Sequence, residues 1–187
     1  MIDLGTLPGD DVSNALGISA AGVVVGDSGP TSGPVHAAIW KPDASGSYRA
    51  TRLGELPGDA YSSVSGISPD GVAAGYSGTA GTNHAVVWKP DASGSYQVIA
   101  LGTQASNSTA DAVASNDQVA GQSEDPGKTH AVVWTLTASG QYSATSLDNL
   151  PGDDVGGAFG LNEHGQVVGS SFPTAGLEHA VLWTLSG

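Results

Sequence analysis

The chain contains no cysteine. That excludes disulfides, thiolate metal ligands and cysteine nucleophiles, and it leaves the redox compartment open. Basic side chains are almost as scarce: five Lys and Arg stand against 18 Asp and Glu in 187 residues, a formal net charge of −13. Such a surface repels a nucleic-acid backbone and an anionic membrane, so the expected partners are cations and neutral polar ligands. Charged residues total 12% and aromatics 6%, the former well below the usual quarter or so, so the core has to be made from Val, Ala, Leu and Ile. No apolar run reaches the ~18 residues of a membrane span. No segment carries the 3.6-residue period of an amphipathic helix. Gly-x-Ser-x-Gly, His-Glu-x-x-His and phosphate-loop motifs are all missing, and no catalytic residue is assigned. No charged-then-apolar leader opens the chain, because Met1-Ile2-Asp3-Leu4 already lies inside a repeat; a removed leader would leave such a start.

What the sequence does contain is a fourfold internal repeat, anchored by His36-Ala37-Ala38-Ile39-Trp40, His84-Ala85-Val86-Val87-Trp88, His130-Ala131-Val132-Val133-Trp134 and His179-Ala180-Val181-Leu182-Trp183. Each unit holds short segments rich in β-branched or small residues, bounded by Gly, Pro, Asn, Asp or Ser, which is the signature of strands. Trp to the next Leu is 13 residues in all three complete cases (Trp40 to Leu53, Trp88 to Leu101, Trp134 to Leu147). Leu to the first strand is 11 residues when the strand is anchored at Ala15, Val64, Ala112 and Ala158. On that alignment the third unit shortens the strand 1–2 turn by two residues, to Asn116-Asp117, an even deletion that keeps every side chain on its face.

Four units of four strands predict an all-β fold: a four-bladed β-propeller with four short antiparallel strands per blade. The blades span approximately 10–53, 59–101, 107–147, and 153–187 plus 1–6, in a single domain covering 1–187. Ile2-Asp3-Leu4 is expected to complete the last blade and close the ring, which would remove the exposed edge and give a monomer. The first strands are expected to line a channel through the small residues Gly17, Gly66, Ala114 and Gly160, with Phe159 as a plug.

His36, His84, His130 and His179 share a strand face with Trp40, Trp88, Trp134 and Trp183. A residue needed by every blade is most simply structural, so Trp is expected to fill the wedge between blades and His to tie backbone groups; the alternative is a His metal cluster. His164 stands alone in a turn and is expected to be solvated.

Candidate ligand residues gather on one rim. The Leu-Pro-Gly-Asp linkers place Asp10, Asp59 and Asp153 six residues after the repeat Leu, and Asn107 six after Leu101. Oxygen ligands from several loops suit a hard cation, so calcium is the candidate cofactor of Asp10, Asp59, Asn107 and Asp153. The competing reading is that Pro-Gly sets a turn and Asp bonds its own backbone. Asp11 and Asp154 add charge beside them. The variable, Ser/Thr/Gly-rich strand 2–3 loops are expected on the same rim, where recognition usually sits, with Tyr61, Tyr76 and Phe172 as stacking candidates for a sugar ring. The near-identical segments 41–48 and 89–96 read as a duplication on the opposite rim.

The units resemble the HAF-repeat family of predicted extracellular bacterial repeats. The matching residues are Leu4-Gly5-Thr6-Leu7-Pro8-Gly9, Gly160-Leu161-Asn162 with Gly165-Gln166-Val167-Val168-Gly169-Ser170-Ser171, and the four His-Ala-x-x-Trp runs, in which Val or Ala replaces the family's Phe. The resemblance implies a secreted or cell-surface location and lends no catalytic residues. The expected function is a noncatalytic binding module for a glycan or polar small ligand at the loop rim. Two alternatives are a small enzyme that uses the rim acids with a channel-bound cation, and a structural repeat of a larger surface protein.

Overall fold

A computed structural model describes residues 1–102 and 107–185. Every regular element among them is a strand. Unit 1 is the meander β1 (Val12–Ile18), β2 (Val24–Gly29), β3 (His36–Pro42) and β4 (Tyr48–Arg52). Unit 2 repeats it as β5 (Tyr61–Ile67), β6 (Ala73–Thr79), β7 (Thr82–Pro90) and β8 (Tyr96–Ala100). Unit 3 is β9 (Asn107–Val113), β10 (Val119–Asp125), β11 (Lys128–Leu136) and β12 (Tyr142–Leu147). Unit 4 has β13 (Val155–Leu161), β14 (Gln166–Phe172) and β15 (His179–Thr184). Pairing within each unit is antiparallel and in sequence order, and one parallel bridge, Thr129 with Val155, links units 3 and 4.

The units pack face to face, and the alternation of each strand decides what meets what. The back face of unit 1 (Val25, Ala37, Ile39) meets the front face of unit 2 (Val64, Ala73, Val86, Trp88). Unit 2 repeats this against unit 3, with Ala74, Ala85 and Val87 on Ala110, Val119, Val132 and Trp134. Unit 3 repeats it against unit 4, with Ala120, Ala131 and Val133 on Ala158, Val167 and Trp183. Leu53, Leu101 and Leu147, delivered by the linker, join these three layers. Within each sheet the first two strands come close because Gly75 faces the Ser63 carbonyl, as Gly26, Gly121 and Gly169 face Asn14, Thr109 and Gly157; a methyl group at any of them would run into that oxygen.

Trp88, Trp134 and Trp183 pack where consecutive units meet, and Trp40 packs beside Leu4 and Leu7. Trp40, Trp88 and Trp134 are fully buried. Each indole N–H donates to a linker carbonyl: Trp40 to Gly5 at 3.2 Å, Trp88 to Gly54 at 2.9 Å, Trp134 to Gly102 at 3.3 Å and Trp183 to Asp148 at 2.8 Å.

Register corrects several expectations. The strand 1–2 turn is not shortened in unit 3: Val113 pairs with Val119, just as Ile67 pairs with Ala73. Asp117, with φ 60°, occupies the positive-φ place held by Gly22, Gly71 and Gly165. The missing two residues lie before β9, because Ala110 (not Ala112) is the equivalent of Val64, each paired with the close-approach glycine. Ala112 therefore stands where Gly17, Gly66 and Gly160 stand, and Ala114 begins the turn. Asn107 aligns with Tyr61 rather than with Asp59.

Closure also differs. Residues 1–6 form no strand, and β15 pairs only with β14. Leu4 packs instead beside Trp40, in the seat that Leu53 takes beside Trp88. First strands of consecutive units do lie together (β1 on β5, β5 on β9, β9 on β13), but β13 makes no comparable contact with β1. The described residues are an open row of four units.

Because Trp88 is enclosed on both sides whereas Trp183 is only half-buried, Trp88→Ala should cost about 3–5 kcal/mol and Trp183→Ala clearly less. Urea denaturation of both variants measures the difference.

Candidate functional site

The rim formed by linkers and strand 2–3 loops begins with a turn. In Leu7-Pro8-Gly9-Asp10 the Asp10 amide donates to the Leu7 carbonyl at 3.0 Å, and Asp59 and Asp153 do the same to Leu56 and Leu150. Pro sets the first central φ, and the second is positive at Gly9, Gly58 and Gly152 (93°, 95° and 94°), which defines a type II turn. The Asp side chain does not bond its own backbone. Ser28 Oγ donates to Asp10 Oδ2 at 2.6 Å and accepts the Leu7 amide at 3.0 Å. Ser77 and Ser171 repeat this with Asp59 and Leu56, and with Asp153 and Leu150. The three carboxylates thus fasten each linker to the second strand of its own unit.

This changes the reading of the proposed cation ligands. Asp10, Asp59 and Asp153 sit in separate units, each engaged by a serine, and Asn107 occupies a different register position. Among the described residues no three His, Asp or Glu side chains stand together as metal ligands. In unit 3, residues 104–106 of the expected linker lie outside the described residues. Asp11 and Asp154 cap the neighbouring loops: Thr31 donates to Asp11 from its amide at 3.1 Å, and Thr174 Oγ1 donates to Asp154 at 3.3 Å.

The linkers and the strand 2–3 loops do share a rim. The amides of Asp11, Ala60 and Asp154 donate to the carbonyls of Gly29, Gly78 and Phe172 at the ends of the second strands. His side chains on this rim reach carboxylates instead of backbone. His36 Nδ1 lies 2.9 Å from Glu55 Oε1, and His84 Nδ1 lies 3.2 Å from Asp59 Oδ2. Burial raises the Glu55 pKa, but hydrogen bonds from Arg52, Ser62 and His36 outweigh it and leave the carboxyl below its ordinary range. Ser62 Oγ also accepts the Ala37 amide of the preceding unit at 2.9 Å, and Ser108 accepts Ala85 in the same way.

Tyr61 and Tyr76 meet edge to face, with centroids 6.3 Å apart. The Tyr61 hydroxyl is 2.8 Å from the Thr79 carbonyl and 2.9 Å from Asn83 Oδ1, so its far end is anchored within the unit. The Asn83 amide in turn donates to Asn107 Oδ1 at 2.9 Å. Next to this chain, Asn83, Asn107, Ser108, Thr109, Gln122 and Glu124 line a polar cleft of about 170 Å³ between units 2 and 3. Phe172 is half-buried at the end of β14, while Phe159 is exposed and lies over Gly157.

One row of positions, invisible in the motifs, runs along the inner edge. Asp27, Tyr76, Gln122 and Ser170 are register equivalents on the second strands. Asp27 reaches the next unit, accepting Ser63 Oγ at 3.0 Å and the Val64 amide at 3.2 Å. Beside the row, Leu16, Ser65, Asp111 and Phe159 are the extra residues of a bulge in each first strand. Asp111 Oδ2 is buried without a hydrogen-bond partner, and burial pushes its carboxyl from the ordinary 3.8 up to about 6.

The opposite rim also ties units together. Lys89 Nζ bonds both Asp117 oxygens at 2.8 and 2.9 Å, Lys41 Nζ donates to the Gly94 carbonyl at 2.8 Å and lies 4.7 Å above the Tyr96 ring, and Ser115 donates to Glu163 at 2.6 Å. The duplicated segments are therefore turns with an inter-unit contact. Asp43 and Asp91 hold them by accepting Ser45 and Ser93 hydroxyls at 2.6 Å each.

No protein-family model matches the chain, and no curated protein matches it.

The folded protein holds the Asp111 proton more tightly than the unfolded chain does. The stability this contributes is complete below about pH 4 and is lost as pH rises through about 6. Asp111→Asn should remove that loss and gain up to about 3 kcal/mol at neutral pH. Urea midpoints of both proteins between pH 4 and 8 check this; curves that stay parallel throughout would contradict it.

Proposed function

We propose that the chain is a noncatalytic binding module that takes a neutral polar ligand, such as one ring of a glycan, in the cleft between units 2 and 3. The observation that carries this is the lining of that cleft: amides and hydroxyls of Asn83, Asn107, Thr109 and Gln122, with Glu124 at its edge. Such groups offer donors and acceptors in the mixture a sugar hydroxyl needs. At about 170 Å³ the cleft is smaller than the pockets that enclose drug-sized ligands, so it suits a single moiety of a longer chain lying along the rim. Tyr76 stands at the adjoining inner position.

Binding is favoured over turnover because the rim carboxylates that could act as acid and base are committed to serine clamps. The net charge of −13 favours neutral over anionic ligands. Calcium has no role in this reading. The face-to-face packing of four meanders supports describing the units as propeller blades in a row open between unit 4 and unit 1. The HAF-like motifs support an extracellular or surface location.

A glycan array followed by calorimetric titration of any hit tests the proposal. Neutral oligosaccharides should bind, acidic ones should not, and Gln122→Ala should weaken binding at least tenfold without changing the melting temperature. An array with no hits would overturn the glycan reading, and a hit unaffected by Gln122→Ala would move the site elsewhere.

A further inference from the structure

The interface between consecutive units is built three times inside the chain; its back half recurs uncovered on unit 4, and its front half recurs on unit 1, where Leu4 and Leu7 cover part of it. On the back face of unit 4, Val168 and Leu182 are 51% and 60% exposed, whereas their register equivalents Val25 and Ile39 in unit 1 are 0% exposed. On the front face of unit 1, Val24, Ala38 and Trp40 are buried beside Leu4 and Leu7, but Ala15 is exposed where the equivalent Val64 and Ala158 are 0%, and Ile18 is 67% exposed where Ile67 and Leu161 are half-buried. The first strands of these two units make no contact comparable to that between consecutive units.

The polar fittings recur as well. Ser13 stands where Ser62 and Ser108 accept the amides of Ala37 and Ala85. The matching residue of unit 4 is Ala180, on β15, whose outer edge carries no strand. Gly5 already accepts the Trp40 indole, a bond that a preceding unit's linker makes everywhere else. In unit 1, Ala38, Ile39 and Trp40 pair with Arg52, Thr51 and Ala50, just ahead of Leu53. Counting back from Leu4 in the same way aligns Asp3, Ile2 and Met1 with Val181, Leu182 and Trp183.

We infer that the back face of unit 4 receives the front face of unit 1 from a second copy of the chain, head to tail, with residues 1–4 of that copy forming the missing fourth strand on β15. The occupant follows from continuity with an interface the chain already uses three times. The contact is heterologous, each copy offering a different surface. It lacks the ion pairs of the junction between units 1 and 2, because Thr6 stands where Glu55 meets His36 and Arg52.

Sedimentation velocity over a range of protein concentrations tests this. The average mass of the wild-type chain should rise with concentration to a dimer or beyond. Ile18→Glu and Leu182→Glu each spoil one end, so each alone should stay monomeric, while their equimolar mixture should form dimers and stop there. Both substitutions are at exposed positions; if either fails to fold by circular dichroism, Ile18→Ser and Leu182→Ser serve instead. A wild-type chain that is monomeric throughout, whether closed on itself or unpartnered, would overturn the inference. So would a single variant that assembles like the wild type, or a mixture that stays monomeric while the wild type assembles.

Discussion

The structure depends on the seating of one tryptophan per unit. Trp88 is pressed between the back face of unit 1 and the front face of its own sheet, and its only polar atom is satisfied by the Gly54 carbonyl of the arriving linker. That single bond joins three things: the preceding unit's outer strand, the linker and the new unit's core. A buried indole without its acceptor would carry an unsatisfied donor, so linker position and sheet packing cannot vary independently. Around it, small and β-branched residues suffice, because the glycine opposite each first-strand carbonyl lets the strands come close. This explains how a chain with so few aromatics builds its core: Trp40, Trp88 and Trp134 are fully buried, and small and aliphatic residues fill the layers around them.

The polar groups follow the same logic with more freedom. Two junctions satisfy the outward backbone amide of the third strand in the same way, and the third junction is built differently. Ser62 and Ser108 do it by hydroxyl. In unit 4 a glycine, Gly156, takes the serine's place; Asn149 lies against it, and the Asn149 amide donates to the Thr129 carbonyl. On the other rim a lysine ion pair, a cation–π contact and a serine–glutamate bond occupy corresponding junctions. Exposed pairs of this kind contribute little to stability individually, so their identity is free to drift while the apolar layers stay alike.

Much of this was legible in the sequence. The anchor residues gave the number of units and the strand order, and Pro-Gly at constant spacing marked the turns that the structure shows as type II. What was not legible was where a gap falls. Asn116-Asp117 looks like a two-residue hairpin because Asp tolerates positive φ, and the structure uses Asp117 in that conformation, but in a turn of unchanged length. Two residues are missing before β9, so counting six from Leu101 placed Asn107 with the aspartates when it belongs with Tyr61. Asp111 was passed over for a different reason: as the extra residue of a bulge it belongs to neither face of a regular strand. The serine clamps on Asp10, Asp59 and Asp153 were hidden because the partners lie 18 residues apart in sequence.

The pattern of likeness and difference among the units bears on where recognition can reside. Positions that meet at junctions are nearly interchangeable: Ala37, Ala85 and Ala131, or Trp40, Trp88 and Trp134. The inner row holds a carboxylate, a phenol, an amide and a hydroxyl at four equivalent places, Asp27, Tyr76, Gln122 and Ser170. A site that bound one ligand identically in every unit would need the same group in all four. A scaffold that presents four different groups at fixed spacing instead offers one asymmetric surface, and rigid presentation of unlike polar groups is what discriminates between similar polar ligands, because a ligand that leaves any one of them unpaired loses affinity. Asp27 already spends its oxygens on Ser63 and Val64. Ser170 is buried, so the freedom lies with Tyr76 and with Gln122, which lines the cleft between units 2 and 3.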